Sequence, residues 1–366
     1  ADTQAQIIFM GKVVKNMSEI VWIGLIVGFL LGFVIQRGFY WFYTALSNLI
    51  LTRDYRLVKA TIWAFLVTMV GFHTLHSLGI QSLNPKTFFL GGSIIGAIAF
   101  GVGMALSGSC IVGTPLRAWR GQIGYWFALL GMGIGGWMTI WGPLKPLRLS
   151  LQKPTEVFIG GKTATLDRLF GINHWILVII VAALLIWWLI KLKDKNISEE
   201  QKEKSSLGKR FFKDLWSPTL LGIGLGIVEI IAFASGKSPA GLGGFIKGYG
   251  FYFRSLLGGE LPFGWPVMEV TGIMLGAVTA ALLAGQFKFV WPPLKRIPRL
   301  FFGGFLIGTG AVLAVGGCNV AHLISHVPQF SIGSIVSMIF IIGTASPVSY
   351  THLRAHETSL HLVCRL

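Results

Sequence analysis

The stretch GMALSGSCIVGTPLRAWRGQ, residues 103–122, joins a glycine-rich apolar run to a thiol and two fixed positive charges. The small residues Gly108 and Ser109 precede Cys110, and Arg117 and Arg120 follow it. Glycines allow helix backbones to approach closely inside a membrane. A single cysteine in such a run is often only a small packing residue, so a functional interpretation depends on whether the pattern recurs.

The pattern does recur near the other end of the chain. The segment GVGMALSGSC ends at Cys110, and the segment GTGAVLAVGGC ends at Cys318, where Gly316 and Gly317 occupy the positions of Gly108 and Ser109. A repeated element on both sides of a polar segment is typical of two pseudo-symmetric halves. We expect inverted halves, which on our reasoning need an odd number of spans between the two elements. The four spans predicted there leave the orientation open.

The composition is that of an all-α integral membrane protein. Of the 366 residues, 53% are hydrophobic and only 12% are charged, and the mean hydropathy is +0.70. An ordinary soluble domain has roughly 25% charged residues. The apolar runs predict about nine membrane helices, several of them short or broken. They cover approximately residues 20–35, 60–83, 88–112, 123–142, 172–190, 219–235, 266–286, 300–318 and 331–346.

Charge divides the chain into two halves. Residues 191–218 include the lysine-rich run KLKDKNISEEQKEKSSLGKRFFKD and predict a polar cytoplasmic linker between a first membrane repeat, 1–190, and a second, truncated one, 219–346. The net charge of +17 is scattered among apolar spans, which favours contact with lipid head groups and argues against nucleic-acid binding. The three cysteines form no disulfide framework, and we expect no cofactor or metal.

Several polar residues near the spans have two interpretations each. Gln36 and Arg37 could line an entrance or form a snorkelling pair at the end of the first span. Arg117 and Arg120 could attract anions at a mouth or only set orientation. His322, one turn after Cys318, could share its pocket, or it could cap a helix or lie at an interface. Glu229 has no evident partner, and Glu269 is expected to be a helix N-terminal charge.

These motifs resemble the YeeE/YedE sulphur-transport family of bacterial inner-membrane proteins. The resemblance rests on residues 103–122, on GGCNVAHLISHVPQFSIGSIVSMI at 316–339, and on GFLLGFVIQRGFYWFYTALSNLILTRDYRLVKA at 28–60. It implies a non-enzymatic, multi-pass inner-membrane protein with inverted halves that takes up thiosulfate, or selenium compounds in some members, past cysteine thiols. It also implies a cytosolic sulphur-carrier protein as a partner. Some members carry a third cysteine where this chain has Trp41.

Thiols suit such a passage because thiosulfate is a dianion with a soft terminal sulphur. A protonated thiol is a weak donor and a polarisable contact, which can guide that sulphur and still release it. The predicted substrate-binding residues are Cys110, Cys318, Gly108, Ser109, Gly316, Gly317 and His322, with entrance charges at Gln36, Arg37, Arg117 and Arg120. The alternative is a membrane sulphur relay with covalent cysteine chemistry, but a nucleophilic cysteine needs a base, and only His322 is close in sequence.

The end of the chain differs from the rest. Residues 347–366, PVSYTHLRAHETSLHLVCRL, resemble a translated sequencing adapter, and we expect this tail, including Cys364, to be artefactual. Pro347 is predicted to break the last span. A metal site at His352 and His356 is the alternative interpretation of the tail.

Overall fold

A computed structural model describes residues 21–192, 216–235, 245–315 and 318–363, without the side chains of residues 51, 245 and 348–363. Gly316, Gly317, Cys364 and most of the predicted linker therefore lie outside the described residues. The first part of the chain contains helices α1 to α9 in chain order. They are 21–38, Phe42–Leu51, Arg56–Ser77, Leu90–Ser107, Gly113–Trp119, Gly124–Ile140, Lys145–Gln152, Leu166–Phe170 and His174–Lys191.

The second part of the chain contains helices α10 to α15. They are Pro218–Ala234, Phe245–Leu256, Trp265–Leu283, Ile297–Leu313, Asn319–Ala321 and Ile332–Val363. The short α14 continues through a π-helical turn, His322–His326, and a 3-10 turn, Val327–Gln329. Ser217 caps α10 by accepting a hydrogen bond from the backbone of Leu220, and Asn173 caps α9 in the same way through Trp175.

Six helices in the described part of the chain are long and apolar enough to cross a membrane. They are Val21–Ile50, which joins α1 to α2, and Arg56–Ser77, Leu90–Ser107, His174–Lys191, Trp265–Leu283 and Leu294–Leu313. A seventh is reached if α6 and the segment Lys145–Thr155, bent by 65° from it, form one broken span. The helix α10 and residues 332–347 of α15 are apolar but shorter. Each predicted apolar run coincides with a helix, but nine membrane crossings are not confirmed.

A small sheet accompanies the helices, which the sequence analysis did not predict. Strand β1, Phe88–Phe89, pairs antiparallel with β2, Glu156–Ile159, which pairs antiparallel with β3, Lys162–Thr163. In register, Phe88 faces Val157, and Phe158 faces Thr163. The sheet ties the beginning of α4 to the loop after α7 and leaves the helical bundle as the main architecture.

Glycines bring the two cysteine-bearing helices into backbone contact. A Cβ atom added at Gly310 of α13 would lie 2.6 Å from the backbone oxygen of Gly96 in α4, and one at Gly103 would lie 2.6 Å from that of Gly303. Because 96 meets 310 and 103 meets 303, α4 and α13 run antiparallel. Successive membrane helices alternate in direction, so two helices separated by an even number of crossings, such as four, run antiparallel. The expectation that inverted halves need an odd number of spans between the two cysteine elements was therefore wrong.

The last helix does not end where the sequence analysis placed its end. The helix α15 passes through Pro347 and continues to Val363, so the prediction that Pro347 breaks the span is wrong. Proline removes one backbone donor from a helix but does not always terminate it.

Candidate functional site

Cys110 lies at a break between two helices. Gly108 ends α4 in a left-handed conformation with φ 68°, which glycine adopts without a steric cost. The chain then turns through Cys110, whose side chain is fully buried, and re-enters a helix at α5. The backbone N–H of Gly113 donates to Cys110 Sγ at 3.3 Å. The sulphur thus accepts a hydrogen bond from the backbone.

Cys318 occupies the same kind of break in the second half. Val315, just after α13, has φ 59°, and the chain becomes extended at Cys318 before α14 begins. The backbone N–H of Val320 donates to Cys318 Sγ at 3.3 Å, and the S–H of Cys318 donates to Asn319 Oδ1 at an S···O distance of 3.7 Å. The two cysteine motifs therefore have the same features: each follows the end of a helix, contains a residue in the left-handed conformation, has a sulphur that accepts a hydrogen bond from a backbone amide, and precedes a short helix.

The two thiols lie near each other at the centre of the bundle. Both cysteines are free and buried, and they are close enough to interact electrostatically with one another and with the hydroxyl of Tyr40. That hydroxyl is 2.7 Å from Thr61 Oγ1. The structure thus brings together the two residues that the sequence analysis paired on their motifs alone.

A third helix break lies beside the first thiol. Phe39 has φ 49° after α1, and Trp41 precedes α2. A Cβ atom added at Gly113 would lie 3.5 Å from Cys110 Sγ, 3.6 Å from Trp41 Cδ1 and 2.9 Å from Ser109 Oγ. These three side chains therefore surround one point. Ser109 Oγ and Trp41 Nε1 are buried polar atoms without a hydrogen-bond partner among the described residues.

The two arginines of the first motif pack on this third break. The guanidinium of Arg117 donates to the backbone oxygen of Gly108 at 2.9 Å, to Thr44 Oγ1 at 3.2 Å and to the hydroxyl of Tyr125. It also lies 4.3 Å from the centre of the Trp41 ring. Arg120 lies 5.1 Å from the centre of the Phe39 ring. Arg117 therefore fixes the helix break in addition to supplying charge, a role that the sequence analysis did not predict.

A cavity of about 670 Å³ opens next to the first motif. Its walls include Ser107, Gly108 and Arg117, residues of α2 such as Thr44, and the loop before α13. That loop adds Arg296 and the first turn of α13 adds Arg299, so the described residues that line the cavity include three cations and no carboxylate. The backbone N–H of Val290 donates to the oxygen of Gly121, which attaches this loop to the first motif, and no local signal in the sequence predicts that contact.

The remaining predicted residues are buried. Gln36 and Arg37 are 0% and 1% exposed, which excludes the snorkelling pair, and both amide atoms of Gln36 lack a hydrogen-bond partner among the described residues. His322 is 2% exposed and is not interfacial. Its ring centre is 6.0 Å from that of His326, and it lies within electrostatic range of Lys86. Burial, with some repulsion from Lys247, lowers the pKa of Lys86 in the loop before β1 to about 8.

The two membrane carboxyls differ from expectation. Glu269 is the fifth residue of α12 and is 0% exposed, so it is not a charge in the first turn of that helix. Glu229 does have a partner, because Ser325 Oγ donates to its Oε2 at 2.9 Å. The carboxyl of Glu229 also lies within electrostatic range of Cys318 and of Glu269.

A multi-pass helical bundle whose buried thiols and polar atoms gather at broken helices is the architecture of a membrane transport protein. The chain belongs to the sulphur-transport family, whose sequence model matches residues 37–346, which confirms the resemblance drawn from the motifs. The match ends just before the tail predicted to be artefactual.

Two relatives match nearly full length. A thiosulfate transporter TsuA of Spirochaeta thermophila is 34% identical over 335 residues, 88% of this chain and 96% of the relative. A thiosulfate transporter TsuA of Escherichia coli is 25% identical over 333 residues, 89% of this chain and 93% of the relative. A probable transporter YedE of Escherichia coli is 34% identical over 110 residues, 30% of this chain and 26% of the relative. These names describe transporters, as the sequence analysis predicted, and not enzymes.

Proposed function

We propose that the protein takes up thiosulfate across a bacterial plasma membrane and that the thiols of Cys110 and Cys318 guide the anion through the centre. The observation that carries this proposal is the pair of free, buried thiols at matched helix breaks, within electrostatic range of each other. The names of the two full-length relatives support thiosulfate as the substrate.

The hydrogen bonds at the sulphurs support a mechanism in which the thiol S–H groups guide the anion by donating hydrogen bonds to it. A backbone amide donates to each sulphur, so the S–H of Cys110 can point toward an approaching anion, and the S–H of Cys318 can do so by leaving Asn319 Oδ1. The hydrogen bond from an S–H to a soft sulphur is weak, which permits release to the second thiol. Ser109 Oγ and Trp41 Nε1 add stronger donors for the sulfonate oxygens beside Cys110. Trp41 would thus supply an indole N–H where some family members have a third thiol.

Transport is favoured over a covalent sulphur relay. A nucleophilic thiol needs a base within hydrogen-bonding distance. In the described part of the chain, no hydrogen bond joins either thiol to a histidine or a carboxylate. The arginine-lined cavity would attract the anion without covalent chemistry. Its positive side chains, Arg117, Arg296 and Arg299, would concentrate anions beside Gly108, which precedes Cys110 by two residues.

We infer an inverted repeat in which α1, α3, α4 and α6 correspond to α10, α12, α13 and α15. Glycine contacts support this repeat. Where a helix of the first half packs against a helix of the second half, the two helices that correspond to them also pack together and run in the same relative direction. The helices α1 and α12 run parallel through Gly28 with Glu269 and Gly32 with Ile273, and α10 and α3 run parallel through Gly222 with Ala60 and Gly226 with Ala64. The helices α6 and α13, and α4 and α15, are likewise parallel. The division at residues 191–218, with a cytoplasmic linker and a cytosolic sulphur-carrier partner, belongs to the same proposal.

Uptake of radiolabelled thiosulfate into liposomes containing the purified protein tests this function. Sulfate, selenite and sulfite are added in turn as unlabelled competitors, and protein-free liposomes are the control. We expect saturable uptake that unlabelled thiosulfate abolishes and sulfate, which lacks the soft sulphur, leaves nearly unchanged. Equal competition by sulfate would contradict guidance by thiols, and preferential competition by selenite would favour a selenium compound.

A further inference from the structure

Two carboxyl groups are buried in the centre of the bundle on different helices. Glu229 of α10 is 2% exposed and Glu269 of α12 is 0% exposed. Both helices pack against α1. A Cβ atom added at Gly28 would meet the backbone of Glu269, and one at Gly224 would lie 3.5 Å from Val34 Cγ1.

These contacts place the two carboxyls at a similar depth. Leu221 of α10 meets Gly38 of α1, and Gly224 meets Val34, so α10 and α1 run antiparallel. Glu229 follows Gly224 by five residues, or roughly 7.5 Å at 1.5 Å per helical residue. It therefore lies about level with Gly28 of α1, the residue that contacts Glu269. The electrostatic interaction between the two carboxyls agrees with this placement.

The pair lacks the partners that two buried anions would need. Of the four carboxyl oxygens, only Glu229 Oε2 accepts a hydrogen bond from a described residue, and the donor is Ser325. The side chain of Trp265 lies beside Glu269, but neither oxygen of Glu269 has an aligned donor among the described residues. Burying two like charges without a counter-charge is costly, because burial and mutual repulsion both favour the neutral acid.

The charged groups on neighbouring elements do not neutralise the pair. The interactions of the two carboxyls with described residues involve Ser325, Cys318, Trp265 and each other, none of them a cation. The helix α3, packed on α10, carries Arg56, Lys59, His73 and His76. The helix α11, packed on α12, carries Lys247 and Arg254. The other elements packed on α10 and α12 carry Arg37 on α1, Arg117 on α5, and His322 and His326 after α14.

We propose that Glu229 and Glu269 form a proton-binding site that couples the movement of the anion to the movement of at least one proton in the same direction. This proposal rests on the proposed function. The carboxyl pair takes a proton from the side on which the anion binds and releases it as H⁺ on the other side, so no further reactant is required.

The link between proton and anion runs through the segment that carries the second thiol. Cys318 begins the short α14, and Ser325, the donor to Glu229, lies seven residues later in the continuing helical turns. An anion that approaches Cys318 also approaches Glu229, because the two side chains interact electrostatically. Negative charge on the anion favours a protonated carboxyl at this point, so binding of the anion and of the proton support each other. A dianion that enters a cell with a negative interior also gains from a proton that reduces the transferred charge.

The test uses liposomes that contain the full-length protein and a trapped pH-sensitive dye. An inward gradient of one pH unit should raise wild-type thiosulfate accumulation up to about tenfold for each coupled proton. Addition of thiosulfate without a gradient should acidify the lumen. The variants Glu229→Gln and Glu269→Gln, which resemble the protonated acid in shape, should lose both responses but retain exchange of internal for external thiosulfate. The exposed Glu260→Gln is the matched control and should behave as wild type.

The outcomes separate the two proposals. Wild-type protein that accumulates thiosulfate without acidifying the lumen and without responding to the gradient would overturn the proton site, whatever the variants do. Gln variants that keep the full response to the gradient would also overturn it. Wild-type protein that shows no thiosulfate exchange at all would instead overturn the proposed function. If a Gln variant does not fold, as judged by gel filtration in detergent, the Asp variant at the same position replaces it: it keeps a carboxyl group and should keep both responses with a shifted pH dependence, and a pH dependence identical to that of wild type would overturn the site.

Discussion

The contact between α4 and α13 positions both thiols, and Gly310→Ala tests that role. A Cβ atom at this position would lie 2.6 Å from the backbone oxygen of Gly96 and 2.6 Å from the backbone nitrogen of Phe100. Ordinary contacts begin at 3.4 Å, so the helices must separate locally by about 0.8 Å. Because the groups met are backbone atoms of a buried helix, no side-chain rotation relieves the contact.

The expected magnitude comes from two opposing effects. Overpacking of this kind costs about 1–3 kcal/mol, whereas replacing a helical glycine by alanine gains about 1 kcal/mol in helix propensity. Gly343→Ala in α15 is the matched control, because its added Cβ meets no atom of the described residues within 4 Å. The helix gain is common to both variants. The difference between their free energies of unfolding should therefore be about 1–3 kcal/mol, with Gly310→Ala the less stable.

Unfolding by a denaturing detergent, followed by tryptophan fluorescence, measures this difference, and thiosulfate uptake is measured on the same preparations. We expect Gly310→Ala to be less stable and slower in uptake, and Gly343→Ala to be as stable as wild type or more so. Equal stability and equal uptake for the two variants would refute the close antiparallel contact between the cysteine-bearing helices.

Three further predictions concern the paired arginine variants of the cavity, Lys86 and the tail. Arg296→Gln, at the exposed edge of the cavity, should slow uptake at 0.1 M salt but match wild type at 1 M, because the Debye length falls from about 10 Å to about 3 Å. Arg117→Gln should stay impaired at both salt concentrations, because it also loses the hydrogen bond to Gly108; recovery at 1 M would contradict this role. Lys86 lies within electrostatic range of His322 and, with its pKa lowered to about 8, is charged below that pH, so at equal pH on both sides of the membrane uptake should fall as the pH rises through 8, and Lys86→Arg should reduce this fall; an unchanged pH profile in Lys86→Arg would exclude Lys86 as a cause. Deleting residues 347–366 should leave uptake unchanged if the tail is artefactual, and a genomic copy of the gene that encodes THLRAHETSLHLVCRL in frame would contradict that origin.

The sequence predicted the helical membrane class and the pairing of Cys110 with Cys318, because apolar runs and a repeated glycine–cysteine pattern are local signals. It did not predict which helices meet, since Gly96 and Gly310 are far apart in the chain and glycine pairs also occur in ordinary packing. The partner of Glu229 was missed for the same reason, because Ser325 lies 96 residues away.

Other differences have more specific causes. Arg117 was interpreted by its charge alone, whereas its contacts with Gly108 and Trp41 depend on two helix breaks that converge in space. Pro347 was expected to end a helix because proline usually does so, but α15 continues past it. The small sheet was missed because strands of two to four residues leave almost no periodic signal.

The most direct test of the central claim is the rate of thiosulfate uptake by liposomes that contain the cysteine variants, normalised to the amount of folded protein. We predict that Cys110→Ala and Cys318→Ala each reduce uptake to near the level of protein-free liposomes. The Ser variants should retain a fraction of the rate, because a hydroxyl still donates a hydrogen bond but lacks the soft sulphur. Uptake at the wild-type rate by the Cys110→Ala and Cys318→Ala double variant would contradict the account.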